Sequence, residues 1–162
     1  MVKKRLLFVC LGNICRSPAA EGIMNGLVER AGLSGEIECD SAGTSGYHEG
    51  EPADARMIHH AKQRGYSLTS QSRAFREEED FEKFDYILTM DQSNHKNVLR
   101  LDPKGQHHHK VMPMVKYCRI HQVEAVPDPY YQGENGFQLV LDILEDACAE
   151  LLKTLLKELG EK

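Results

Sequence analysis

The chain has 162 residues, 28% of them charged, and a formal net charge of −5. That length suits one domain, residues 1–162, able to bury about two-thirds of its unfolded surface without staples, and the acidic balance gives no support for nucleic-acid binding. The five cysteines, Cys10, Cys15, Cys39, Cys118 and Cys148, are odd in number and scattered, without paired metal-ligand spacing, which argues against a disulfide framework and for a reducing compartment.

Lys3-Lys4-Arg5 before the apolar Leu6-Leu7-Phe8-Val9 is similar to the start of a secretory signal. The apolar run is too short, however, and it ends in Gly-Asn with no small-residue cleavage site, so it reads as a buried first strand. No other stretch approaches the roughly 18 apolar residues of a membrane span. The expectation is a soluble, cytoplasmic protein with neither membrane nor nucleic acid as partner.

Cys10-Leu11-Gly12-Asn13-Ile14-Cys15-Arg16-Ser17 comes next, with Ser17 as a natural N-cap and Pro18 suited to the first helical position. A strand, a tight loop and a helix start in succession aim unpaired backbone N–H groups at whatever sits over the helix end, where the dipole favours negative charge. Residues 11–17 therefore read as a phosphate cradle. Cys10 stands where a thiolate is favoured, near Arg16, the dipole and the Ser17 hydroxyl. Arg16 offers a planar fork for two phosphoryl oxygens, and Gly12 and Asn13 suit the left-handed backbone of a six-residue ring. A strand-end cysteine alone is more often inert filler; joined to Arg16 in this frame, it points to nucleophilic attack on phosphorus.

Ala20, Ile23, Met24, Leu27, Val28 and Ala31 then recur at helical spacing up to Gly32. Glu36 to Ser41 reads as a second strand, reached by a right-handed crossover and hence parallel to the first. The loop from Ser41 to Pro52 leaves the end of that strand, where open α/β sheets place their ligand crevice, so Tyr47 and His48 belong on its wall. Ala53 to Arg64 forms a second helix; His59 and His60 are neighbours that cannot share a face, one partly packed and one exposed, not a metal pair. Glu77-Glu78-Glu79-Asp80 opens a short helix as a dipole-compensated surface turn.

Tyr86 to Met90 is an interior strand, and Asp91-Gln92-Ser93-Asn94 caps a helix through Leu99, with Asp91 close to the crevice. His107-His108-His109 lie in a polar loop and fit a solvated surface better than a metal site. Val111 to Val115 is a short fourth strand broken by Pro113, and the segment up to Val126 is ambiguous. Pro127-Asp128-Pro129-Tyr130-Tyr131 is a stiff loop, which suits a residue that must be aimed. Asp128 is there as a candidate general acid or, alternatively, as an Asx turn before proline. A last helix from about Gly136 to Leu159 puts Phe137, Val140, Leu144, Cys148, Leu151 and Leu155 on one stripe, burying Cys148. Alternating strands and helices predict a three-layer, flavodoxin-like α/β sandwich with a four-stranded parallel sheet in the order 2-1-3-4.

Cys10 to Ser17, joined to the distant Asp128-Pro129-Tyr130, closely resembles the low-molecular-weight protein-tyrosine phosphatase family. The resemblance covers essentially the whole chain, including Asp40-Ser41-Ala42-Gly43-Thr44 and Phe84-Asp85-Tyr86-Ile87-Leu88 leading to Met90-Asp91. It implies hydrolysis of phosphotyrosine in proteins, and of small aryl phosphates, through a phosphocysteine on Cys10. Arg16 and the loop amides would bind phosphate, and Asp128 would serve as general acid and then base. No cofactor or metal is implied, and inorganic phosphate or vanadate would inhibit.

The resemblance also implies that Ser41 and Ser17 support the loop around Asn13, and that Ile14, Tyr47, Tyr130 and Tyr131 line the substrate site. The chain departs from the family at Thr69-Ser70-Gln71-Ser72-Arg73, where a histidine commonly precedes an Ala-Arg pair, and the role of Ser72-Arg73 is left open. Cys15, five residues from Cys10, is a candidate redox partner, since a neighbouring thiol captures an oxidised cysteine as a disulfide.

Three alternatives share these features. Arsenate reductases of this architecture use two further cysteines in a relay, which Cys39, Cys118 and Cys148 are too scattered to resemble. Protein-arginine phosphatases carry Thr where Ile14 stands, and Ile14 instead offers apolar surface to a phenyl ring. A silent phosphopeptide-binding module would need neither Cys10 nor Asp128.

Overall fold

Leu6, Leu7, Phe8 and Val9 are fully buried, on both faces of their strand, because that strand is interior to the sheet and covered on either side. The computed structural model describes residues 1–130 and 132–160, so Tyr131 lies outside the described residues. In chain order the elements are β1 (Lys4–Cys10), α1 (Arg16–Arg30), β2 (Ile37–Gly43), α2 (Ala55–Gln63), α3 (Glu77–Lys83), β3 (Tyr86–Thr89), α4 (Gln92–Arg100), β4 (Val111–Pro113) and α5 (Glu134–Gly160). The sheet runs β2-β1-β3-β4, every pair parallel, with Leu7 of β1 opposite Asp40 on one side and Ile87 on the other.

Strand periodicity divides the core. Leu6, Phe8 and Cys10 face Ile23 and Met24 of α1 and Leu144, Cys148 and Leu151 of α5, while Leu7 and Val9 face Phe75, Phe81, Phe84 and Val98. Each such leucine or phenylalanine contributes roughly 1.5–3 kcal/mol through its removal from water. The result is the expected three-layer α/β sandwich, with helices on both faces of a parallel sheet. Among the described residues no helix is long and apolar enough to cross a membrane.

Several boundaries differ from the sequence reading, each for a local reason. Helix α1 begins at Arg16, with Cys15 in the capping position and no side-chain cap. Ser17 is therefore inside the first turn, its hydroxyl committed to the loop, and Pro18 occupies the third position, where its missing N–H again costs no intrahelical bond. Strand β2 runs two residues beyond Ser41 to Gly43. Helix α2 starts at Ala55, capped by the Asp54 carboxylate, which accepts from the Arg56 amide at 2.8 Å. Asp80 is not on the surface: it is buried and folds back on its own helix start to accept from the Arg76 amide at 2.7 Å.

Strand β4 stops at Pro113 rather than at Val115, because Met114–Tyr117 curl into a tight helical turn that buries Met114, and the ambiguous segment after it hangs on α5. Asp146 of α5 accepts from three consecutive amides, those of Arg119, Ile120 and His121, at 2.9, 3.0 and 2.9 Å. The segment ends where the Val126 amide donates to the Met90 carbonyl at 2.8 Å, beside the end of β3. That pairing delivers residues 127–130 to the same edge of the molecule as the Cys10 loop.

Candidate active site

The loop after β1 is shaped by where its carbonyls go. Cys10 and Leu11 carbonyls accept from the amides of Thr44 and Ser45, both at 2.9 Å, and the Ile14 carbonyl accepts from the Asp54 amide at 2.7 Å. The Gly12 carbonyl accepts from the Ser72 hydroxyl at 3.0 Å. Four loop carbonyls are thus anchored in the surrounding structure. In a planar trans peptide the following N–H points the opposite way, so the amides of Leu11, Gly12, Asn13 and Cys15 turn toward the centre of the ring. That is the donor arrangement an anion requires.

Asn13 bends the ring. Its φ of 57° makes it the one non-glycine residue in the left-handed region among the described residues, and its side chain is held at both ends. Oδ1 accepts from the Arg73 amide at 3.0 Å, and Nδ2 donates to Ser17 Oγ at 2.7 Å. Ser17 Oγ, which accepts from Asn13, lies 3.1 Å from Cys10 Sγ and 3.5 Å from the Ala42 carbonyl to which it can also donate. Gly12 does not share the left-handed conformation expected for it; its bare Cα instead makes room for His48, whose Cδ2 would lie 3.1 Å from an added Cβ.

Arg16 is buried and aimed by the ends of two other segments. Nη1 donates to Asp91 Oδ2 at 2.6 Å and to the Val126 carbonyl at 3.0 Å, while Nη2 lies 3.6 Å from Asp128 Oδ2. Asp91 is itself fixed as the N-cap of α4 in a capping box with Asn94. Burial alone would raise the Asp91 carboxyl, but the hydrogen bond from Arg16 and those from the first amides of α4 outweigh it and hold the group below the usual carboxylate range. Asp128 takes the Asx turn that its Asp-Pro setting offers: Oδ1 accepts from the Tyr130 amide at 3.0 Å, and Oδ2 lies 3.6 Å from Arg16 Nη2.

One cavity of about 280 Å³ gathers these groups: Cys10, Leu11, Gly12, Ile14, Cys15 and Arg16 from the loop, Tyr47 and His48 from one wall, and Asp128 and Tyr130 from the other. Tyr47 is exposed and stacks on His48 with ring centroids 4.9 Å apart. The Cys15 thiol is driven far above its ordinary range by burial first, with Asp54 and Cys10 adding to it, so it is held protonated. The histidine run goes elsewhere, His107 stacking on Phe81 and His108 bonding the Asp102 carbonyl.

A model of the low molecular weight phosphotyrosine protein phosphatase family matches residues 5–161. The chain belongs to that family. The phosphatase is 55% identical over 155 residues to a Synechocystis protein assigned to the low molecular weight protein-tyrosine-phosphatases, with 96% of this chain and 98% of that one covered. A crystal structure of a protein tyrosine phosphatase from Entamoeba histolytica superposes with a TM-score of 0.92 at 48% identity, covering 99% of this chain and all of that one. An arginine phosphatase from Drosophila also shares the fold, with a TM-score of 0.85 at 31% identity over 93% of this chain and 96% of its own.

One predicted support is corrected. Ser41 does not bond the phosphate loop: its hydroxyl donates to Glu21 Oε1 of α1 at 2.6 Å, beside a carboxyl that burial raises. The bond to the loop carbonyl comes from Ser72 instead, and the second anchor of Asn13 is the backbone of Arg73. The guanidinium of Arg73 is clamped between Asp40 of β2 and Asp80 of α3, at 3.1 and 3.0 Å. Ser72 and Arg73, whose role the sequence left open, thus both fasten the phosphate loop of the phosphatase. A hydroxyl sixty residues from its partner leaves no local mark in the sequence, whereas Asp91 was reachable through the strand-end rule.

Proposed function

We propose that the phosphatase hydrolyses phosphotyrosine in proteins, and small aryl phosphates, through a phosphocysteine on Cys10. The observation that carries this reading is the convergence on one cavity of Cys10 with its Ser17 partner, Arg16 braced by Asp91, and Asp128 on the opposite wall. In the first step Cys10 Sγ attacks phosphorus as the thiolate, the bond to the phenolic oxygen breaks, and Asp128 gives that oxygen its proton. The amides of the ring and the free edge of Arg16 hold the three equatorial oxygens as charge shifts onto them. In the second step Asp128 takes a proton from water, the oxygen of water bonds to phosphorus, the S–P bond breaks, and inorganic phosphate leaves. Charge stabilisation thus comes from amides and a guanidinium, and the scheme calls for no cofactor. Inorganic phosphate and vanadate compete by filling the cradle.

Ile14 supports the phenyl ring as substrate over phosphoarginine, because it turns an apolar side chain to the cavity between Tyr47 and Tyr130. An arsenate relay is disfavoured by the other cysteines. None of Cys39, Cys118 and Cys148 lines the Cys10 cavity, Cys118 is pushed up to about 11 by burial, and Cys148 is enclosed by the core. A panel of phosphotyrosine, phosphoarginine, phosphoserine and arsenate separates these readings, and turnover limited to phosphotyrosine and aryl phosphates is expected. Cys10→Ser should abolish turnover while phosphate still binds, since ring and Arg16 remain; substantial activity in that variant would remove Cys10 as nucleophile.

A further inference from the structure

Arg56, in the first turn of α2, takes no part in the scheme above, yet it joins the two loops that the scheme must hold in register. Its neighbour Asp54 is fastened to the phosphate loop through the bond from the Asp54 amide to the Ile14 carbonyl, 2.7 Å. The Asp54 carboxylate grips the Arg56 guanidinium side-on, with Nε 3.1 Å from Oδ1 and Nη2 2.9 Å from Oδ2. A guanidinium held this way keeps one edge and both faces for other partners.

Those partners belong to the Asp128 loop. Nη2 donates to the Tyr130 carbonyl at 3.1 Å, and the guanidinium carbon lies 5.4 Å from the Tyr130 ring centroid and 4.9 Å from that of Phe137, both within cation–π range. The amide of Tyr130 is in turn the donor that orients Asp128. A continuous set of contacts therefore runs from Ile14 through Asp54, Arg56 and Tyr130 to Asp128. Proline on either side stiffens residues 127–129 but does not say where the stiff piece rests. Arg56 supplies that resting point through Tyr130, and it is not among the residues that line the reaction cavity.

We propose that Arg56 is a positioning residue for the reaction: by holding the carbonyl and ring of Tyr130 it seats Asp128 at the height where its carboxyl meets the departing oxygen. The proposal rests on the reading of Asp128 as general acid. Placement by a tether matters most where proton transfer matters most, which is for phenolates too basic to leave unaided. Asp54, not a phosphoryl oxygen, neutralises Arg56, so loss of the side chain leaves the cradle's own charges in place.

The experiment compares wild type, Arg56→Ala, Arg56→Lys, Asp128→Asn and the Arg56→Ala/Asp128→Asn double variant on aryl phosphates of graded leaving-group basicity. It reads kcat/KM, which reports events up to departure of the phenol, and the inhibition constant of inorganic phosphate. Arg56→Ala is expected to lose about 10-fold in kcat/KM with the most basic phenolates and little with activated nitrophenolates, at unchanged phosphate inhibition. Arg56→Lys, which keeps a cation over the rings but not the fork, should recover part of the loss. In the Asp128→Asn background, Arg56→Ala should add nothing. An equal loss across leaving groups, weakened phosphate inhibition, or a full additional loss in the double variant would each overturn the proposal and make Arg56 a support of fold or cradle. If Asp128→Asn itself loses equally with every leaving group, it is the acid assignment that fails, and the proposal falls with it.

Discussion

Asn13 shows how much a single residue does here: it supplies the left-handed backbone, accepts from the Arg73 amide and donates to the Ser17 hydroxyl that stands beside Cys10. Such residues were legible in the sequence because their chemistry is local, confined to eight consecutive positions. Ser72 was not, and Ser41 was misplaced, because which serine reaches the loop depends on strand register and on Glu21 of the facing helix. Cys15 carries the residue-scale prediction. It lines the same cavity as Cys10 and is held as a thiol by burial, so it does not compete with Cys10 as nucleophile and must give up its proton as it resolves an oxidised Cys10. Hydrogen peroxide transfers one oxygen to the Cys10 thiolate, its O–O bond breaking and hydroxide leaving, and the Cys15 sulfur then attacks the sulfenic sulfur so that the S–O bond breaks, water leaves and a disulfide closes. Cys15→Ser should keep most activity but regain little of it with thiol after mild peroxide. Peptide mapping decides the matter: a free Cys15 beside oxidised Cys10, with equal recovery in wild type and variant, would rule the switch out.

At the scale of elements, residue patterning was enough to identify β1 to β4 and α1 to α5, while their ends moved by one or two residues because tertiary partners choose the caps. The start of α1 moved since Ser17 was needed by the loop rather than the helix. Residues 116–126 stayed unreadable since their order is imposed by Asp146, about 25 residues on in a different element. The junction of β2 with the loop gives the prediction at this scale. An added Cβ at Gly43 would stand 2.7 Å from the Leu11 carbonyl oxygen and 3.0 Å from that of Ser45, both backbone atoms that no rotamer change can move aside. Gly43→Ala should therefore push the phosphate loop, costing about 1–3 kcal/mol of stability and about 10-fold in kcat/KM. Thermal unfolding and steady-state kinetics on one preparation check it; wild-type values in both would mean that the loop yields without consequence.

Across the whole molecule, the long α5 is both a core helix and the anchor for the chain that returns to the site. Asp146 makes that anchorage depend on pH. Burial would raise its carboxyl, but the amides of Arg119, His121 and Ile120, together with the His121 imidazole at 3.0 Å, lower it to about 2. An unfolded aspartate titrates near 3.9 (roughly), so below that value the unfolded chain binds the proton that the folded one refuses. The stabilisation is present in full above about pH 5 and is lost as pH falls toward 2; its size is on the order of 2 kcal/mol. Asp146→Asn lacks the charge at every pH and leaves one set of amides poorly matched. The difference in unfolding free energy between wild type and this variant should therefore be wide at neutral pH and narrow steadily between about pH 5 and pH 2. Urea titrations at each pH measure it directly. A difference that stayed constant down to pH 2 would mean that Asp146 holds the returning segment by shape and neutral hydrogen bonding, and that its charge contributes nothing to keeping Val126, and with it the Asp128 loop, against the end of β3.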